Sequence, residues 1–224
     1  LYSSAASDVY KRQVVIGPNG AGKTTLLDLI CGKTKATSGS VMFKNNELLG
    51  RPEQNIVKMG VSRKFQTPSI YPKLTVFENL ELSHPTGRTV MGSLFFKRTA
   101  EIKDRVEEVA KEIYLSDFVH TRGELLSHGQ KQWLEIGMLL IADPELVMLD
   151  EPVAGMSVRE RQQTAELLRR MCNGRVVLVI EHDMNFVREI AHKVTVMHQG
   201  KLLAEGSMDE VQANEKVIEV YLGH

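Results

Sequence analysis

Long apolar runs are missing from this 224-residue chain. The longest, such as Val176–Ile180, are of strand length and far short of the ~20 residues that a membrane-spanning helix needs. The chain is therefore not expected to cross a bilayer. Net charge is missing too: 28 Lys+Arg face 28 Asp+Glu, so no net field gathers a polyanion and no nucleic-acid partner is expected. Cysteine is scarce. Cys31 and Cys172 stand far apart without ligand-spaced neighbours, and read as reduced core or near-surface thiols rather than as a disulfide or a metal site. The opening Leu1 to Gln13 has small polar residues and a late Lys11-Arg12 pair but no apolar core, which excludes a signal peptide. No internal repeat, low-complexity tract or flexible interdomain linker interrupts the chain.

What is there fits a globular α/β protein, with 42% apolar and 25% charged residues. Gln13 to Ile16, Val41 to Phe43, Val61 to Phe65, Leu146 to Leu149, Val176 to Ile180 and Val194 to Met197 read as strands. Helices are expected from Lys23 to about Cys31, near Pro52 to Met59, from Ser157 to Met171 and from Asp183 to His192. Between Thr75 and about Asp117 the helical period takes over, with Ile102, Val106, Val109 and Ile113 on one face. Thr75 with Glu78, Ser127 with Gln130, and Ser157 with Glu160 have capping-box spacing. The second opens a helix that carries Trp133, Ile136, Gly137 and Leu140 on one face.

Gly17-Pro18-Asn19-Gly20-Ala21-Gly22-Lys23-Thr24 fits the GxxxxGK[ST] phosphate-loop pattern and lies between a strand and a helix, as that pattern requires. Its glycines let backbone N–H groups turn inward around phosphates, and the helix N-terminus adds partial positive charge. Lys23 supplies a point charge, and the Thr24 hydroxyl suits Mg2+. Leu146 to Leu149 then ends in Asp150-Glu151. Adjacent strand residues point to opposite faces, so the two carboxylates are expected to divide the work, Asp150 on the metal and Glu151 on the attacking water.

Leu126-Ser127-His128-Gly129-Gln130 resembles the LSGGQ signature of ABC ATPases, with His128 in place of the first glycine of the Gly-Gly pair. It follows the helical insert and precedes the acidic strand, as in that family. Gln66 resembles the Q-loop glutamine and His182 the switch histidine. The resemblance covers about residues 14 to 224. It implies a P-loop NTPase core of RecA-like type with a helical subdomain inserted at about 67–140. It implies ATP held with Mg2+ by residues 17–24, Thr25 and Gln66, with Thr24, Gln66 and Asp150 on the metal and Lys23, Glu151 and His182 in catalysis. It further implies a second ATPase subunit, the same or different, closing head to tail so that Ser127, His128, Gly129 and Gln130 meet the partner's ATP. Met156-Ser157 stands where most relatives carry Leu-Asp.

Within the family the chain resembles the ATPases of bacterial branched-chain amino acid and urea importers. Residues 126–138, 151–156 and 217–223 look more like the urea type. That implies a peripheral protein on the cytoplasmic face of the inner membrane, bound to permease subunits and fed indirectly by a periplasmic binding protein. A soluble, non-transport ABC ATPase is the alternative, but the long coiled-coil insert or second ATPase domain usual there is absent from the sequence. Only sixteen residues precede Gly17, fewer than the family usually has. Residues 1–13 are therefore expected to be an atypical leader of non-native sequence, and the family's antiparallel β-subdomain to be incomplete at the N-terminus. Without the aromatic that stacks on adenine there, weak ATP binding and poor discrimination against GTP are expected.

Overall fold

The computed structural model describes residues 12–64, 70–85 and 99–222. Gln66 and most of the leader, including Tyr2 and Tyr10, lie outside the described residues. Two compact units are present. The first takes Leu1–Arg63, Glu145–Pro152 and Leu168–His224, and the second Lys64–Pro144 and Val153–Leu167, in their described residues.

The first unit is built on strands β1 (Arg12–Ile16), β4 (Val61–Lys64, whose last residue is counted to the second unit), β5 (Leu146–Asp150), β6 (Val176–Ile180), β7 (Lys193–His198) and β8 (Lys201–Gly206). Their order is β4-β5-β6-β1-β7-β8. β5 with β6, β6 with β1 and β1 with β7 pair in parallel, and β8 returns antiparallel on β7. Strands β1, β5 and β6 are almost wholly buried, which is why they read as continuous apolar runs rather than alternating ones. A short hairpin, β2 (Met42–Phe43) with β3 (Asn46–Glu47), stands apart from this sheet.

Helices α1 (Lys23–Ile30) and α2 (Glu53–Lys58) seal the core. Leu27 and Ile30 of α1 and Ile56 of α2 pack in one cluster with Val15, Val61, Met148, Leu178 and Ile180. Cys31 belongs to this cluster and Cys172 is buried as well, both as free thiols. Burial pushes the Cys31 thiol up to about 11, so it stays protonated at neutral pH.

The second unit holds α3 (Val76–Ser83), α4 (Ala100–Glu112) and α5 (His128–Leu140). Thr75 and Glu78 form the expected capping box on α3, and Thr99 caps α4 by accepting from the Ile102 amide. Fully buried Asn79 ties the preceding loop to α3. Its amide donates to the carbonyls of Tyr71, Leu74 and Thr75, and its oxygen accepts from the Tyr71 amide at 2.7 Å. Ile102, Val106, Val109 and Ile113 are buried, as their spacing predicts. Gly137 marks the closest approach of α5: a Cβ there would stand 2.5 Å from Ile113 Cδ1 and 3.0 Å from Leu80 Cδ2.

Helix α6 (Val158–Met171) is capped as expected from Ser157 and Glu160, with the Ser157 amide 2.9 Å from Glu160 Oε2. Helix α7 (Met184–Ile190) follows Asp183, which caps it through the amides of Asn185 and Phe186. The spacing analysis does not anticipate β3, β8 or the terminal helices α8 (Met208–Gln212) and α9 (Glu215–Leu222). β8 is an edge strand with no fully buried position, and α8 is too short for a helical period to register. No helix among the described residues is long and apolar enough to cross a membrane.

Gly137→Val is expected to destabilise the chain by about 1–3 kcal/mol, the cost of overpacking a closed helix contact. Urea unfolding followed by circular dichroism measures this, and an unchanged midpoint would contradict the packing described for α5.

Candidate functional site

The carboxyl ends of β1, β5 and β6 lie side by side, since Asp150 pairs with Ile180 and Ile180 with Val15. Ile16 leads directly into the loop 17–22. Gly17 is confined by the neighbouring β7: a Cβ would stand 2.2 Å from the Met197 carbonyl oxygen. Gly22, at φ 95, is the residue before α1 and contributes no side chain to its end. The first-turn N–H groups of α1 thus meet neither a capping side chain nor an acidic residue, which leaves the positive end of the helix dipole for an anion. Lys23 Nζ donates to the carbonyls of Gly17 at 2.7 Å and Pro18 at 3.1 Å. Asn19, Gly20 and Thr25 are exposed, and Ala21 is buried.

Thr24 Oγ1 donates to Asp150 Oδ2 at 3.3 Å, which brings together two of the residues expected at a metal. Asp150 is 2% exposed, and its other oxygen, Oδ1, is buried with no hydrogen-bond partner among the described residues. Burial pushes the Asp150 carboxyl up from its ordinary value, with the nearby Arg63 guanidinium opposing that rise. Glu151 leaves the sheet with φ 49, in the left-handed region, and its amide donates to the Ile180 carbonyl at 3.0 Å. The two carboxylates are therefore separated by a left-handed turn at the strand end, and not by alternation along the strand as the sequence argument supposes. Such a conformation is uncommon for a residue with a Cβ. Glu151 Oε1 lies 3.3 Å from His182 Nδ1.

In the second unit, Ser127, His128, Gly129 and Gln130 form the start of α5. The Gln130 amide donates to Ser127 Oγ at 3.2 Å, and the Ser127 amide to Gln130 Oε1 at 2.9 Å, completing the capping box. Ser127 Oγ is also 3.3 Å from Glu160 Oε1. Hydrogen bonds from Ser157 hold the Glu160 carboxyl below its ordinary range, with Ser127 adding to them. One carboxylate thus serves two helix starts. It also explains Gly129, where a Cβ would stand 2.2 Å from Glu160 Oε1. Sequence spacing identifies Glu160 only as the cap partner of Ser157, because its contact with Ser127 spans 33 positions.

Residues 8–154 match the ABC transporter family, and residues 201–224 match the family of branched-chain amino acid ATP-binding cassette transporters. This chain belongs to the ABC transporter family. It is 35% identical to the high-affinity branched-chain amino acid transport ATP-binding protein LivG of Escherichia coli strain K12, over 96% of this chain and 89% of that protein. It is 33% identical to BraF of Pseudomonas aeruginosa, a protein of the same description, over 96% and 89%. Among solved structures, the ADP conformation of MJ1267, an ATP-binding cassette of an ABC transporter, superposes with a TM-score of 0.83 at 31% identity, covering 96% of this chain and 88% of that one. A nucleotide-free ATP-binding cassette gives 0.80 at 30% identity, covering 96% and 88%. The chain has the P-loop fold of the ABC cassettes and is an ATP-binding, ATP-hydrolysing subunit of this transporter family.

Arg63 has no place in the sequence argument, yet it holds the acidic side of this cassette together. Its side chain is 3% exposed, with Nη1 2.5 Å from Asp28 Oδ1 and Nη2 3.7 Å from Asp150 Oδ2. The strand Val61-Ser62-Arg63-Lys64 carries two adjacent charges, and its sequence alone does not tell which one is buried against carboxylates. A buried guanidinium between two carboxylates keeps Asp150 ionisable despite its burial. Arg63→Met is expected to cost about 3–5 kcal/mol, because it leaves buried carboxylate charge uncompensated. Lys33, 57% exposed and 3.9 Å from the same Asp28, should cost less than about 1 kcal/mol when changed to Met. Urea unfolding of both variants tests the contrast, and equal losses would contradict it.

Proposed function

We propose that this chain powers import through a membrane permease, with Glu151 as the base that polarises the attacking water and His182 as the residue that contacts the γ-phosphate and holds the catalytic geometry. The observation that carries this reading is the convergence of Lys23, Thr24, Asp150, Glu151 and His182 at the carboxyl edge of the sheet, linked by Thr24 to Asp150 and by Glu151 to His182. Lys23, now on loop carbonyls, exchanges these for the outer phosphates of ATP. Asp150 Oδ1, buried and without a partner among the described residues, fits a divalent cation beside Thr24, and Gln66 is assigned to the same ion. Mg2+ held there would supply positive charge to offset that of the outer phosphates. Gly17 to Thr25 cradle the nucleotide. Ser127, His128, Gly129 and Gln130 act on the ATP of a second subunit, docked head to tail.

Glu151→Gln is expected to leave ATP binding intact while slowing hydrolysis roughly 10² to 10⁴-fold, the usual worth of a general base. Lys23→Ala should weaken nucleotide binding itself. Equilibrium binding and single-turnover hydrolysis separate the two effects, and parental hydrolysis by Glu151→Gln would refute the assignment of the base.

Urea is the cargo we assign. Residues 126–138 and 151–156 look urea-type, and within the second unit His128 Nε2 of the one meets the Ala154 carbonyl of the other at 3.0 Å. A branched-chain amino acid is the second reading, favoured by the names of LivG and BraF and by the match of residues 201–224. An identity of 35% does not carry a cargo over, since an ATPase subunit of an importer binds nucleotide and not cargo. In the assembled importer, ATPase activity is expected to rise with urea-loaded binding protein and not with leucine-loaded protein. Equal or greater stimulation by leucine would place the chain in the amino acid branch.

A further inference from the structure

His128 occupies the one signature position where this chain departs from Gly-Gly, and its side chain is already engaged within the second unit. Nε2 lies 3.0 Å from the carbonyl oxygen of Ala154. A carbonyl only accepts, so Nε2 carries the proton. The imidazole also lies against Gly155: a Cβ added to Gly155 would stand 3.2 Å from Nε2 and 3.3 Å from Cδ2, and Gly155 itself sits at φ 71. The Gln132 amide nitrogen, one turn along α5, stands 3.5 Å from the same ring nitrogen. Ala154 and Gly155 belong to the short loop that follows Glu151 in the chain. Its turn is closed by the Met156 amide on the Val153 carbonyl at 3.1 Å, and Met156 is buried.

We propose that His128 is a positioning residue: it latches the loop 153–156 to the start of the signature helix, and so fixes the path of the chain leaving Glu151. A glycine at 128 has no atom to make that bond. This role rests on the reading of the chain as an ATPase with Glu151 as its base.

Three variants of the full chain test it. His128→Gly restores the LSGGQ pattern of the family while removing the side chain that bonds Ala154, so its effect on exchange at Met156 reports the latch apart from any contact with ATP. His128→Gln keeps a donor nitrogen the same number of bonds from the backbone as Nε2, and His128→Asn does not reach. Hydrogen exchange at the Met156 amide, which needs no nucleotide, is expected to speed up about tenfold in His128→Gly and His128→Asn, as a loop freed from a tertiary hydrogen bond opens more often. It should stay near the parental rate in His128→Gln. In ATP hydrolysis, His128→Gly and His128→Asn should lower kcat by about 10 to 100-fold, the scale of a small misplacement of catalytic groups, with KM for ATP little changed. His128→Gln should recover most of the loss. Unchanged exchange at Met156 in His128→Gly, or rescue by Asn as good as by Gln, would overturn the latch. Failure of the ATPase reading looks different: parental hydrolysis by Glu151→Gln would remove Glu151 as the base, while the exchange experiment would still decide whether the latch exists.

Discussion

Everything chemical in the first unit depends on the fact that parallel strands buried side by side must end together. β1, β5 and β6 run in the same direction with Val15, Ile180 and Asp150 in register, so the residues that follow them arrive at one edge of the sheet. The edge inherits three consequences. The chain after β1 turns into a loop whose glycine at 17 is confined by the Met197 carbonyl. The chain after β5 turns left-handed at Glu151. The chain after β6 delivers His182 to Glu151. In parallel α/β sheets ligands bind at this end for the same reason.

Placing charge at such an edge sets a second constraint, since carboxylates there are drawn out of water. Asp150 is nearly inaccessible and its carboxyl is pushed up by that burial. Arg63, reaching Asp28 and Asp150, offsets part of the cost. The residue after it, Lys64, belongs to the second unit, where it is buried and pairs at 3.1 Å with Glu135 of α5. Within the second unit, Glu160 serves as the shared acceptor for Ser127 and Ser157, which places the start of the signature helix by hydrogen bonding rather than by apolar packing alone.

Much of this was legible in the sequence because the local signals are strong. Gly17 to Thr24, the strand ending in Asp150, and the capping boxes at Thr75 and Ser127 each sit within a few residues and follow from backbone chemistry. Legibility failed where the partner is remote or the element weak. Arg63 reads as a charge in a strand until Asp28 and Asp150 are seen around it, and Glu160 reads as a cap until Ser127 is seen beside it. β8 has no fully buried position to mark it, because it lies at the sheet edge.

By itself the sequence determined which motifs this protein carries: a phosphate loop, an acidic strand end, a segment that resembles the ABC signature and a histidine just after a strand, all of them short and set by residue types a few positions apart. Only the tertiary structure decided how these groups are held. That Asp150 keeps one oxygen without a partner among the described residues, that Glu151 diverges from it through a left-handed turn, and that His128 is bonded to Ala154 are outcomes of contacts between residues 26 to 126 positions apart or of backbone geometry at a strand end. Hydrophobic periodicity carries no information about such pairings, because they are fixed by where buried polar atoms find partners once the core has closed.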